Sequence, residues 1–166
     1  SGPNTVLSLC RSSSRKIEKG DLVQFTFGSK FMGYCGNMCR PFVLGPVPDG
    51  VKKLMNAALE ATDYALNTIR AGKKASDLFQ GYHDILSKYG YEEFTLYGPA
   101  HGTGYSEVEG LWLSKDAEFI IQPNMLFNID IWLSDGTYGM RYEEGILTTE
   151  TGLRQLNPYR REIISL

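Results

Sequence analysis

The chain has 166 residues, 42% of them hydrophobic and 22% charged, which are the proportions of a sequence that folds by ordinary burial rather than one that stays disordered or depends on cross-links. Its 17 Lys and Arg against 19 Asp and Glu leave a formal charge of -2, so it carries no basic field for phosphates and no nucleic acid partner is expected. The apolar runs, such as Met125 to Ile129, fall far short of the roughly 20 residues a bilayer span needs, so no membrane partner is expected either.

Cys10, Cys35 and Cys39 cannot all pair within one chain, and no charged apolar leader stands before Ser1. The expectation is therefore a reduced, cytoplasmic protein, and the length of 166 residues predicts that 1–166 is a single domain. From the N-terminus, Ser1 to Thr5 leads into Arg11 to Arg15, polar and short on periodicity, which predicts a brief strand followed by a loop. After the Lys19-Gly20-Asp21 turn, Leu22, Val23, Phe25 and Phe27 form an apolar run that ends at Gly28-Ser29, and an extended pattern resumes over Phe31 to Met38. This is a hairpin signal. On an undistorted strand Cys35, Asn37 and Cys39 share one face.

Gly45 to Gly50 is a cluster of helix and strand breakers. Beyond it Leu54, Ala57, Ala58, Ala61, Ala65, Leu66 and Ile69 recur at helical spacing, predicting about five turns that stop near Ala71-Gly72. A second helix is predicted with Ser76 as its N-cap, Leu78, Phe79, Tyr82, Ile85, Leu86 and Tyr89 as its buried stripe, and Gly90 as its end. From Tyr97 the pattern changes to strands. Asn128 and Asp130 alternate against Phe127, Ile129 and Ile131, and Arg141 and Glu143 share a side of the next segment, before the Glu150-Thr151-Gly152 turn. This order of elements fits an α+β layout, helices packed on one curved antiparallel sheet.

The residues with chemistry to offer are His101, Asp130 and Glu143, with Asn37 as a fourth, each a polar residue amid apolar neighbours. Two readings stand side by side. Asp130 and Glu143 are half-buried strand carboxylates paired with Arg141, or they are members of a site. His101 lies between Pro99-Ala100 and Gly102-Thr103-Gly104, where glycines let a ligand approach, although a satisfied core histidine has the same surroundings. Cys35 and Cys39 have no further Cys or His at zinc-like spacing. Tyr105 and Trp112 are packing residues first, with a pocket wall as the alternative.

Taken in order, Ser1-Gly2-Pro3-Asn4-Thr5, Arg15 to Val23, Gly33-Tyr34-Cys35, Pro99 to Gly104, Pro123 to Asp130 and Arg141 to Gly152 resemble the pita-bread hydrolases, the family of creatinase, aminopeptidase P, prolidase and methionine aminopeptidase. The resemblance implies a partial pita-bread domain that corresponds to the C-terminal part of the family's catalytic domain. A missing half-layer would leave an apolar face, and a homodimer is expected to cover it.

The resemblance also implies a site. The peptidases' two aspartates, histidine and two glutamates fall on Thr26, Asn37, His101, Asp130 and Glu143. Two carboxylates are thus replaced by neutral groups, and Asp130 is shortened by a methylene. Four carboxylates balance two divalent ions, whereas two balance one, so at most one ion (Mn, Fe, Co or Zn) is expected, held by His101, Asp130, Glu143 and the Asn37 oxygen. Glu109 is expected to serve as an acid or base beside it, and Arg141 to orient Glu143 or a substrate carboxylate. Creatinase's histidine falls on Leu9 and the peptidases' second histidine on Val108, and neither replacement moves a proton. Two functions follow: a hydrolase that splits the C–N bond of a small peptide or amide-type substrate, or a catalytically inactive module that binds a peptide or protein partner. Members without catalysis, a histone chaperone among them, belong to the same resemblance.

Overall fold

The computed structural model describes residues 1–166. Two ten-residue strands, β1 (Leu22–Phe31) and β2 (Tyr34–Val43), form the predicted hairpin, with Thr26 opposite Cys39 and Gly28 opposite Asn37. Its turn lies at Met32-Gly33 rather than Gly28-Ser29. Both turn residues have positive φ, 48° and 92°, as a two-residue hairpin loop requires. Gly28 lies within the strand instead, and a Cβ built there would come 2.9 Å from the Asn37 Oδ1 atom. Close approach, rather than a turn, accounts for that glycine.

Helix α1 (Asp49–Thr68) buries Val51, Leu54, Met55, Ala57, Ala58, Ala61 and Ala65, so the predicted stripe is the buried one. It ends earlier than Gly72, because Ile69 takes an extended conformation and turns into the core. Helix α2 (Ala75–Tyr89) starts without a side-chain cap from Ser76. The residues leading into it pair with a distant segment instead: Gly72 N–H donates to the Ile121 carbonyl and Ala75 N–H to the Phe119 carbonyl. Gly90 closes the helix at φ 77°, as its position predicted. The opening segment is a 3-10 helix over Gly2–Leu7, not a strand. Thr5 pins it, its Oγ1 accepting from Gly139 N–H at 3.0 Å while Gln24 Nε2 donates to the Thr5 carbonyl at 2.9 Å.

The sheet continues with β3 (Ala100–Gly102), β4 (Leu126–Ser134) and β5 (Gly139–Thr148), in the order β1-β2-β5-β4-β3. Two short strands complete it, β6 (Leu153–Gln155) beside β5 and β7 (Ile164–Ser165) parallel to β2. Helix α1 lies on β4 and β5, where Ile129, Ile131, Tyr142 and Ile146 meet its alanine-rich face. The α+β architecture is the one expected. The face of β1 that carries Phe25 and Phe27, 60% and 47% exposed, has no such cover.

A candidate active-site cleft built on one cross-strand row

Strand register brings the chemistry together. Thr26 pairs with Cys39, Cys39 with Glu143, and Glu143 with Asp130, so one row across four strands carries a hydroxyl, a thiol and two carboxylates. His101 stands in the neighbouring row, opposite Asn128. Alternation places Arg141 on the same face as Glu143, two residues away. All but Thr26 are buried.

Arg141 organises this row. Its Nε lies 3.1 Å from Asp130 Oδ1 and its NH1 3.9 Å from Glu143 Oε1. The first contact is an ion pair without hydrogen-bond alignment. The other guanidinium nitrogen donates to the Tyr97 hydroxyl at 2.6 Å and to Ser8 Oγ at 3.0 Å, and Tyr97 donates in turn to Asp130 Oδ2 at 2.8 Å. Burial pushes the Asp130 carboxyl up, against the opposing pull of Arg141 and the Tyr97 hydrogen bond. Burial, reinforced by the Asp130 charge, pushes Glu143 up to about 8. The Tyr97 hydroxyl is also raised, by burial and by Asp130, so it stays a donor. Burial pushes the Cys39 thiol to about 12, which leaves it without thiolate character at neutral pH.

His101 Nδ1 lies 2.9 Å from the Gly102 carbonyl. A carbonyl oxygen only accepts, so Nδ1 is the donor here, and Nε2 lies 3.9 Å from Asp130 Oδ2. Trp112 packs on this pair of functions, its ring 4.9 Å from that of His101 and 5.3 Å from that of Tyr97. Glu109 is further out. It accepts from the Ser106 N–H at 2.9 Å and closes the 104–109 loop, while the carboxylate whose charge reaches Asp130 and Glu143 is Glu107. Nothing in the sequence marks Tyr97, Ser8 or Glu107 as members of this site. For Asn128 the signal was present, since it shares a strand face with Asp130.

The residues that would hold a divalent ion do not form a set that fits one. No three His, Cys, Asp or Glu side chains converge so as to hold an ion. Asp130 is engaged by Tyr97 and Arg141, and the guanidinium already brings a positive charge to both carboxylates. Asn37 has its oxygen against Gly28 and a buried, unpartnered Nδ2. The expected single-ion set of Asn37, His101, Asp130 and Glu143 does not converge as ligands, and the cation beside its two acidic members is Arg141.

The cleft itself is open. Leu9 is 76% exposed, and Val108 and Thr26 are exposed, so the three replacements do not pack it shut. A cavity of about 490 Å³ lies beside the row, walled by Phe27, Tyr34, Leu126, Leu147 and Leu156, with Asn37 and Asn128 among its polar members. A second cavity, of about 310 Å³, shares Tyr34, Thr103 and Leu126 with it and reaches Tyr105 and Glu109. At their junction the Tyr34 and Tyr105 rings pack at 4.6 Å.

A half-covered curved sheet with its polar row in an open cleft is the architecture of the pita-bread hydrolases. The sequence pattern of metallopeptidase family M24 matches residues 1–150, and the chain belongs to that family. The Xaa-Pro dipeptidase of Pyrococcus furiosus is 27% identical over 99% of this chain and 47% of its own length. Among solved structures, a prolidase from Thermococcus sibiricus superposes at a TM-score of 0.94 with 33% identity, over 99% of this chain and 45% of that one. An Xaa-Pro dipeptidase from Bacillus anthracis gives 0.94 with 28% identity, over 99% and 47%. Aminopeptidase P of Escherichia coli, 20% identical at a TM-score of 0.84, shares the fold. The chain thus spans about half the length of the relatives it matches.

Proposed function

We propose that this domain binds a short peptide in its cleft and has given up metal-dependent hydrolysis. One observation carries the reading: the Arg141 guanidinium lies 3.1 Å from Asp130 and 3.9 Å from Glu143, so an internal cation already serves the two carboxylates. Thr26 and Asn37 add no charge with which a divalent ion could compete. The peptide comes from the relatives, which are named Xaa-Pro dipeptidases and prolidase, and the open cavity has apolar walls suited to a small side chain. A second reading, hydrolysis of a C–N bond, has in its favour that His101, Asp130 and Glu143 share one face of the sheet.

Incubation with the dipeptide Leu-Pro in the presence of Mn²⁺ separates the two. Binding should register as chemical-shift changes at Tyr34, Leu126 and Leu147, with no free proline released. Proline release that disappears in His101→Ala would establish hydrolysis and overturn the proposal.

A further inference from the structure

The larger cavity contains an anomaly. Asn128 is 1% exposed and neither its Nδ2 nor its Oδ1 has a hydrogen-bond partner, so the side chain is unsatisfied whichever way the amide is turned. Asn37, 9% exposed, lines the same cavity with its Nδ2 also unpartnered. A buried polar atom without a partner costs stability, and native proteins rarely keep several together without a use for them. The third asparagine in the wall shows the contrast. Asn157 Oδ1 accepts from Gly145 N–H at 2.6 Å and its Nδ2 donates to the Asn37 carbonyl at 3.3 Å, so it is fully employed in joining β5 to β2.

Resting on the peptide-binding reading, we infer that Asn128 and Asn37 are the recognition groups of this cleft and that they select a neutral amide. The donor and acceptor left free on Asn128 complement the acceptor and donor of a carboxamide or a peptide group, and the free Asn37 donor serves a carbonyl oxygen. A carboxylate matches less well. It has no donor for the Asn128 oxygen and leaves that acceptor unpaired, although Arg154 in the cavity wall offers it a cation. Phe27, Leu126, Leu147 and Leu156 supply the apolar surround that gives such hydrogen bonds their weight. The ligand class is thus a short, internally positioned or C-terminally amidated peptide segment with a small apolar side chain; Leu-Pro, whose peptide bond has no N–H and whose C-terminus is free, should bind the same cleft more weakly than an amide. A bound amide would also remove the defect present in the free protein.

The test is a paired titration of N-acetyl-leucinamide and N-acetyl-leucine followed by NMR, on the wild type and on Asn128→Leu, with the melting temperature of each protein. The amide should bind about tenfold or more tightly than the acid. Asn128→Leu, similar in volume, should lose about tenfold in amide affinity while its melting temperature stays equal or rises. A merely structural asparagine would behave the other way, with a fall in melting temperature and unchanged affinity. If Asn128→Leu does not fold, Asn37→Ala carries the same affinity test at a less enclosed position. Equal binding of amide and acid, or binding insensitive to both substitutions, overturns the inference. If Leu-Pro perturbs the cleft but the amide probe does not, amide selection fails while peptide binding stands. If no peptide perturbs it, both fail.

Discussion

At the scale of residues, one guanidinium and two carboxyl groups set the chemistry of the cleft. Burial opposes the charge of Arg141, yet Asp130, Tyr97 and Glu143 outweigh it and hold the guanidinium protonated more firmly. Glu143, raised from 4.5 to about 8 by burial and Asp130, keeps a proton in the folded state that the unfolded chain has already released. Between these values the unfolded state binds fewer protons, so this group's contribution to stability is complete below the lower value and is lost as pH rises through the upper one. The stability of the wild type relative to Glu143→Gln should therefore fall between pH 5 and 8, by at most about 1.4 kcal/mol per pH unit. Chemical denaturation of both proteins at four or five pH values measures it. A difference that does not change with pH would mean that Glu143 is ionised throughout.

At the scale of elements, periodicity was a good guide wherever burial decides position. The α1 and α2 stripes and the alternation of Asn128, Asp130, Arg141 and Glu143 follow from one side of each element facing the core. Register was less accessible, because it depends on where the chain reverses. A hairpin centred on Gly28-Ser29 would pair Thr26 with Phe31, whereas the Met32-Gly33 turn pairs it with Cys39 and so joins it to the Glu143 row. Tertiary pairing also decided the start of α2, where backbone contacts to Phe119 and Ile121 stand in place of a Ser76 cap. The pairing of Arg141 with the strand carboxylates was legible from alternation; the buried, unpartnered state of Asn128 was not, since it depends on what packs around it. Gly33 combines φ of 92° with a built Cβ 2.9 Å from the Tyr105 ring, so Gly33→Ala should cost about 1–2 kcal/mol of unfolding free energy. Gly152, with nothing near its Cβ position, is the control, and Gly152→Ala should stay within about 0.5 kcal/mol. Equal effects at the two positions would show that the hairpin does not turn where described.

At the scale of the whole molecule, the helices cover only part of the sheet. Phe25, Phe27, Met38 and Phe42 form an apolar groove on β1 and β2 with Tyr159, Ile164 and Leu166 at its border. A 166-residue chain with that face open should associate, and light scattering at micromolar concentration should give a dimer that Phe25→Ser weakens. A monomer for the wild type would contradict the expected homodimer. Family M24 is a metallopeptidase family, yet this cleft has a guanidinium beside both of its acidic strand residues, so metal content is decisive. Elemental analysis of the exhaustively dialysed protein, beside His101→Ala, addresses it most directly. Divalent metal should lie far below one ion per chain in both proteins; about one ion per chain in the wild type, lost in His101→Ala, would show that these residues hold a metal after all.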